Sequence, residues 1–177
     1  MCACDTTPRI ETRRLTLRAP RMDDAPTLAR LCNDFDIVRM TSSMPWPYSL
    51  EDAEGFIARS AIADPAVDRA FVIEHDDAGV VGVLGFDARP SEPMEVGYWI
   101  GRDYWGRGIA GEALVGAMTW AGRDWKKRVV AAGHFSDNPA SGRVLCRAGF
   151  LYTGRVELRS SRARGEAVPT RSMVWLP

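Results

Sequence analysis

The chain switches repeatedly between two hydrophobic periods, and the switches outline its elements. Leu15, Leu17 and Ala19 alternate with Thr16 and Arg18, the period-two pattern of a strand with one buried face. Asp23 or Asp24 can then cap a helix reaching about Asn33, with Leu28, Leu31 and Cys32 on one face. Residues 40–49, MTSSMPWPYS, carry two prolines two apart, which forbids regular structure there. Ser49 and Asp52 form a capping pair for a helix over residues 50–62. AFVIE, residues 70–74, and VVGVLGF, residues 80–86, flank the turn signal DDAG and predict a hairpin. MEVGYWI, residues 94–100, predicts a third strand with Glu95, Gly97 and Trp99 on one face. A helix over residues 109–122 and a strand over 128–135 follow. SDNPAS then opens a helix that reaches Ala148 and stops at Gly149. FLYTGRVEL and AVPTRSMVWL close the chain as a hairpin.

This order sets the fold class. Three strands joined by short turns pair antiparallel, and the strand–helix–strand unit after them makes a parallel neighbour. The expected architecture is α/β (α+β): a single mixed, mostly antiparallel sheet of about seven strands with helices on both faces. No repeat, linker or low-complexity tract divides residues 1–177, so one domain is expected, with residues 1–9 a loosely ordered terminus.

Composition narrows the class of partner. The chain has 177 residues and is 46% hydrophobic, enough for one core. Lys plus Arg is 23 and Asp plus Glu is 23, so no global charge draws it to nucleic acid or a membrane. Arg155, Arg159, Arg162, Arg164 and Arg171 gather late and read as a solvated hairpin. Cys2, Cys4, Cys32 and Cys146 show neither zinc nor thioredoxin spacing, so reduced thiols and no metal are expected. Residues 1–11 lack a basic region followed by an apolar core, and the longest apolar run, near residues 80–86, cannot span a bilayer. A cytoplasmic protein is expected.

The candidate chemistry starts at YWGRGIAGEAL, residues 104–114. Bare backbone at a helix start suits an anion, because unpaired N–H groups and the positive dipole end converge there. Gly101 and Gly106 spell part of a phosphate loop, but Arg107 and Gly108 stand where Lys and Ser or Thr are needed. Gly106, Gly108 and Gly111 spell a dinucleotide fingerprint, yet the next strand ends in His134 and Phe135, not an acidic residue.

The same stretch resembles the acyl-CoA pyrophosphate loop of the GNAT acetyltransferase superfamily. That pattern is Arg or Gln, two residues, Gly, one residue, then Gly or Ala. Gly108 and Ala110 match it, and Trp105 stands where Arg or Gln is usual. GYWIGRDYWGRGIAGEAL, NPASGRVLCRAGF and PWPYSLEDAEGFI are similar to the central strand–loop–helix, a later helix and the substrate-side loop of the RimJ/RimL-type branch, the ribosomal-protein N-terminal acetyltransferases. The likeness runs from about Leu15 to Leu176.

The resemblance implies an N-acetyltransferase that moves acetyl from acetyl-CoA to a primary amine by direct attack in a ternary complex. It implies a sheet splayed in the middle, with pantetheine beside the backbone of Trp99 and Ile100 and the diphosphate on residues Gly106, Arg107, Gly108, Ile109 and Ala110. Glu95 becomes the general base, working through water. Ser141 becomes the group that meets the sulfur, with Tyr152 as its fallback, and Asn138 binds a pantetheine amide. Trp46 or Tyr48 lines the acceptor pocket, and a homodimer is among the family's states. From residue type alone, Tyr152 reads as strand packing, His134 as a hydrogen-bonded structural histidine and His75 as exposed. Trp120, Trp125 and Trp175 read as packing. The acceptor stays open among a protein N-terminus, an amino acid, a polyamine and an aminoglycoside. Asp34, Asp36, Glu51, Asp52 and Glu54 are the acidic residues near the acceptor loop. A non-catalytic acyl-CoA sensor is the alternative reading, and a nicotinamide oxidoreductase the third.

Overall fold

A computed structural model describes residues 7–88 and 93–177. Cys2 and Cys4 lie outside the described residues, as does most of the expected loose terminus. The described strands are β1 (Ile10–Glu11), β2 (Leu15–Arg18), β3 (Asp68–His75), β4 (Gly79–Asp87), β5 (Met94–Ile100), β6 (Val130–Phe135), β7 (Leu151–Ser161) and β8 (Glu166–Trp175). They form one sheet of eight strands in the order β1-β2-β3-β4-β5-β6-β8-β7. Every neighbouring pair is antiparallel except β5 and β6. The eighth strand is β1, whose two residues are too short to carry an alternating pattern.

The helices are α1 (Ala25–Cys32), α2 (Phe35–Val38), α3 (Leu50–Ile62), α4 (Ile109–Arg123) and α5 (Pro139–Arg147). Ser49 and Asp52 form the capping box that the sequence predicts for α3. The start of α1 differs from expectation. A 3₁₀ turn over Met22–Asp24 precedes it, and the Asp24 side chain makes no cap bond to α1. That carboxylate instead accepts 2.9 Å hydrogen bonds from Arg18 Nη1 and Nη2 and a 2.7 Å bond from the Arg21 N–H. Two buried charges in contact must pair, and this pairing outweighs the cap.

Both faces of the sheet are covered. Met94, Val96 and Ile100 of β5 join a core cluster with Ile109, Ala113, Leu114, Ala117 and Met118 of α4. Trp99, on the other face, packs with Leu28 of α1 and Ala53 and Ile57 of α3. At the far end of the first cluster, Trp120 stacks on Trp125 at 5.1 Å, with Phe86 5.5 Å from Trp125. Trp175 closes over Gly122 and Gly149. The three tryptophans therefore pack as their residue type suggested. His75 does not: it ends β3 half-buried, and its Nδ1 accepts from the Asp77 N–H at 3.2 Å.

The feature that positions a site is the parting of β5 from β6. They pair only at Met94↔Val130 and Glu95↔Ala131. β6 then follows β8 through Phe135↔Thr170, while β5 follows β4 through Gly82↔Ile100. A gap opens between two strands that are each paired on their other side.

Candidate active site

Main-chain alternation decides which groups face the gap. The Gly101 N–H donates to Val81 O at 2.9 Å, so Gly101 and every second residue before it point toward β4. The Trp99 carbonyl accordingly lies against Gly82. The polar groups of Val96, Tyr98 and Ile100 face the gap. Trp99 thus turns its main-chain groups toward β4, while its neighbour Tyr98 turns them to the gap. Of these groups, Ile100 O is already taken by Trp105 Nε1 at 2.7 Å. The indole standing where Arg or Gln is usual therefore closes the end of β5. Arg102 lies over the same ring at 5.1 Å and binds Asp34 at 2.7 Å and Asp36 at 2.6 Å.

The glycine turn sits at the mouth of the gap. Gly106 and Gly108 have φ of +73° and +76°, a region that side chains with a Cβ rarely adopt. Gly108 caps α4, and the first helical bond there runs from the Glu112 N–H to Gly108 O at 3.0 Å. The amides before Glu112 have no intrahelical acceptor and are free to meet an anion. The turn is braced from behind. Arg14 donates to Arg107 O at 3.1 Å and to Glu112 at 2.9 Å, and Thr12 donates to Glu112 at 2.7 Å. Burial raises the Glu112 pKa, but hydrogen bonds from Thr12 and then Arg14 outweigh it and hold the carboxyl below its usual range. The Arg107 guanidinium rests over Tyr104 at 5.7 Å.

Helix α5 forms the opposite wall. Asn138 caps it, its Oδ1 accepting from the Ser141 N–H at 3.2 Å. Ser141 Oγ lies 3.0 Å from Tyr98 OH. Burial pushes the Tyr98 phenol up to about 12, so it remains a protonated donor at neutral pH. Tyr98 was not singled out from the sequence, because only the approach of α5 across the gap gives its hydroxyl a partner. His134 Nδ1 pairs with Phe135 O at 2.9 Å, and Nε2 lies 3.0 Å from Tyr152 OH. His134 is thus the hydrogen-bonded histidine expected. Tyr152 is 48% exposed, not packed away as residue type suggested.

The other face of β5 opens on the acceptor side. Glu95 is ion-paired with Arg159, which also binds Glu157 at 2.7 Å. Arg164 binds Asp137 at 2.8 Å. Two of the five hairpin arginines are therefore not solvated charges: the Arg159 and Arg164 side chains are only 21% and 13% exposed. Arg155, Arg162 and Arg171 are exposed as expected. Directly opposite strand residues share a face, so the registers Asp68↔Asp87 and Asp87↔Glu95 set three carboxyls in one row. Burial, then the nearby Asp87, holds the Asp68 carboxyl above its usual range. Among the acids near the acceptor loop, Asp34 and Asp36 are committed to Arg102 and Asp52 to the α3 cap, while Glu51 and Glu54 are exposed.

One cavity of about 1110 Å³ runs from Tyr48 and Asp68 past Glu95 and Ser141 to Gly106–Gly111. Tyr48 is 8% exposed and lines it; Trp46 stands outside its wall, 44% exposed and edge-on to Phe35 at 5.5 Å. Among the described residues no group of three or more His, Cys, Asp or Glu side chains could hold a metal ion. No described helix is long and apolar enough to cross a membrane.

A splayed mixed sheet, with a bare-amide turn at the mouth of the splay, defines the acyl-CoA acyltransferase architecture. Residues 14–151 match the acetyltransferase (GNAT) domain family, and the chain belongs to that family of acyltransferases. It is 29% identical over 107 residues to the uncharacterized N-acetyltransferase p20 of Bacillus licheniformis, covering 58% of this chain and 60% of that one. It is 28% identical over 151 residues to the uncharacterized N-acetyltransferase YoaA of Bacillus subtilis (strain 168), covering 83% and 85%. The fold is shared with RimL, a ribosomal L7/L12 alpha-N-protein acetyltransferase solved with coenzyme A: TM-score 0.80, 22% identity, 96% and 98% of the two chains.

Proposed function

We propose that this protein transfers acetyl from acetyl-CoA to a primary amine, with a protein N-terminus or a small-molecule amine as acceptor. The observation that carries the reading is the open gap between β5 and β6, which ends on the amides of residues 106–111 and on Ser141. In this reading the diphosphate rests on those amides and on Arg107. Pantetheine lies along the gap-facing main chain of Val96, Tyr98 and the Ile100 N–H, as an added strand would. The amine nitrogen attacks the thioester carbonyl from the Glu95 side. Its proton leaves through water to Glu95, the C–S bond breaks, and the thiolate takes a proton from Ser141, which Tyr98 OH resupplies. The RimL neighbour is named for acetylating a protein α-amine, which supports a peptide N-terminus as one acceptor class.

One observation favours the sensor reading: the Glu95 carboxylate is occupied by Arg159 and so is not a free base. Mass spectrometry of an amine and peptide panel incubated with acetyl-CoA decides between the two. Acetylated product is expected, with Glu95→Gln and Ser141→Ala each lowering turnover by about 10- to 1000-fold while coenzyme A binding persists. Coenzyme A binding without product from any acceptor would leave the sensor standing.

A further inference from the structure

Resting on that reading, we propose that the acceptor is a linear aliphatic diamine, and that Asp68 and Asp87 hold its second ammonium while the first amine reacts beside Glu95. A trough crosses three strands on the acceptor face of the sheet. Its floor is the row Ala70↔Gly85 and Gly85↔Gly97, and all three residues line the main cavity. A Cβ on Gly97 meets nothing within 4 Å, and one on Gly85 meets only Arg69 O at 3.6 Å, so both glycines leave the floor open. The row Asp68–Asp87–Glu95 borders the trough on one side, and Val83↔Trp99 borders it on the other. A floor one residue wide suits an unbranched chain. Two strand spacings, about 10 Å, separate Asp68 from Glu95, within reach of about four or five methylenes with an amine at each end.

The carboxylates along the trough are answered at one end only. Arg159 binds Glu95 and Glu157, and Arg155 binds Glu157 at 3.2 Å. Neither Asp68 nor Asp87 has an ion-pair partner among the described residues. Arg59 also lines the cavity, but its guanidinium folds back along α3 to Gly55. Like charges directly opposite on neighbouring strands work against the fold. An ammonium between the two turns that repulsion into charge-assisted hydrogen bonds. Tyr48 points to the same ligand. It packs in one cluster with Val83, on the far side of the trough, and is 8% exposed, yet its hydroxyl has no hydrogen-bond partner among the described residues. Buried polar groups are hydrogen-bonded, and an N–H of a ligand in the cavity supplies a donor that a bare alkyl chain lacks. A peptide N-terminus is followed by a neutral amide, which gives the two carboxylates no charge to bind. The reacting nitrogen loses its proton and forms the amide bond as in the proposed function, while the distal nitrogen keeps its proton and stays on Asp68 and Asp87.

Initial rates of the full chain with acetyl-CoA test this on three acceptors: 1,5-diaminopentane, pentylamine, which lacks only the second amine, and a peptide with a free N-terminus. The wild type is expected to show a kcat/KM for the diamine about 10- to 100-fold above that for pentylamine, with the difference in KM. In Asp68→Asn/Asp87→Asn that ratio shrinks to about threefold or less. Gly85→Val fills the trough and leaves both acids in place, so it raises KM for the diamine by about tenfold or more. Thermal melting checks the fold of both variants. Equal kcat/KM for the diamine and pentylamine, or a higher value for the peptide, overturns this inference and leaves the proposed function standing. A ratio that the double variant retains also overturns it, because the second cation is then read elsewhere. A diamine KM that Gly85→Val leaves unchanged puts the chain outside the trough and overturns it as well. No product from these three, with product from another amine of the wider panel, overturns this inference alone. No product from any amine overturns both.

Discussion

At the scale of single residues, Gly108 shows how a local backbone need becomes a ligand site. Its φ of +76° is what turns the amides after it toward the mouth of the gap. A Cβ there meets nothing closer than Arg14 Nη2 at 3.8 Å, so crowding is not what selects glycine. Gly108→Ala is therefore expected to cost about 1 kcal/mol in the free protein, from left-handed backbone strain alone. A turn that relaxes to escape that strain re-aims its N–H groups, so coenzyme A affinity falls by about tenfold or more. Melting curves and cofactor titration read the two effects separately; unchanged affinity would remove the turn from the site. Such residues are legible in a sequence because glycine and proline needs are local. Arg159 is not legible in that way. Its partner Glu95 lies 64 positions away, and only the order β6-β8-β7 lets the end hairpin reach across β6 to β5. Tyr98 was hidden for the same reason, its hydroxyl meeting Ser141 only through the α5 crossing.

At the scale of elements, the wall formed by α5 depends on one close approach. A Cβ on Gly142 would stand 2.6 Å from Tyr152 OH and 2.7 Å from His134 Nε2. Gly142→Ala must push α5 away from β6 or break the His134–Tyr152 bond, at about 1–3 kcal/mol. That is a drop in Tm of about 2–4 °C per kcal/mol for a chain of this size. Tyr152→Phe in the same background removes the nearest atom and recovers part of the loss. An unaltered Tm for Gly142→Ala would mean that α5 is free to shift, and that Ser141 is not held in place. The sequence gives the existence of α5, from Asn138 to Gly149, but not this contact. Likewise, it marks the capping box of α3 because Ser49 and Asp52 are neighbours. It misassigns the role of Asp24 because the claim of Arg18 on that carboxylate appears only once the chain has doubled back.

At the scale of the whole molecule, the fold is held between a scattered set of carboxylates whose titration sets its response to acid. Asp24, Asp34, Asp52, Glu112 and Asp137 all have pKa values held below their usual range. For Asp24, burial works upward and is outweighed by hydrogen bonds from Arg18 and then Arg21. A carboxyl depressed in the folded state stabilises the fold above its unfolded pKa, about 3.9 for Asp, and loses that contribution as pH falls through the folded value. The Tm should therefore fall below about pH 4. Asp24→Asn, which leaves buried Arg18 with Glu74 as its one carboxylate partner, should cost about 3 kcal/mol at pH 7 and less as pH falls below about 4. Asp68 carries the opposite sign. Burial, then Asp87, raises its pKa, so the folded state holds that proton more tightly than the unfolded chain does. The ionised form works against folding, and the penalty appears as pH rises through the folded value. Asp68→Asn should accordingly raise Tm at pH 7 by about 1–2 °C, an advantage that vanishes on acidification toward pH 4. Parallel melts of wild type, Asp24→Asn and Asp68→Asn from pH 3 to 8 test both signs at once. If Asp68→Asn melts below wild type at pH 7, then the Asp68 carboxyl stabilises the fold there, and the sign assigned to its burial is wrong.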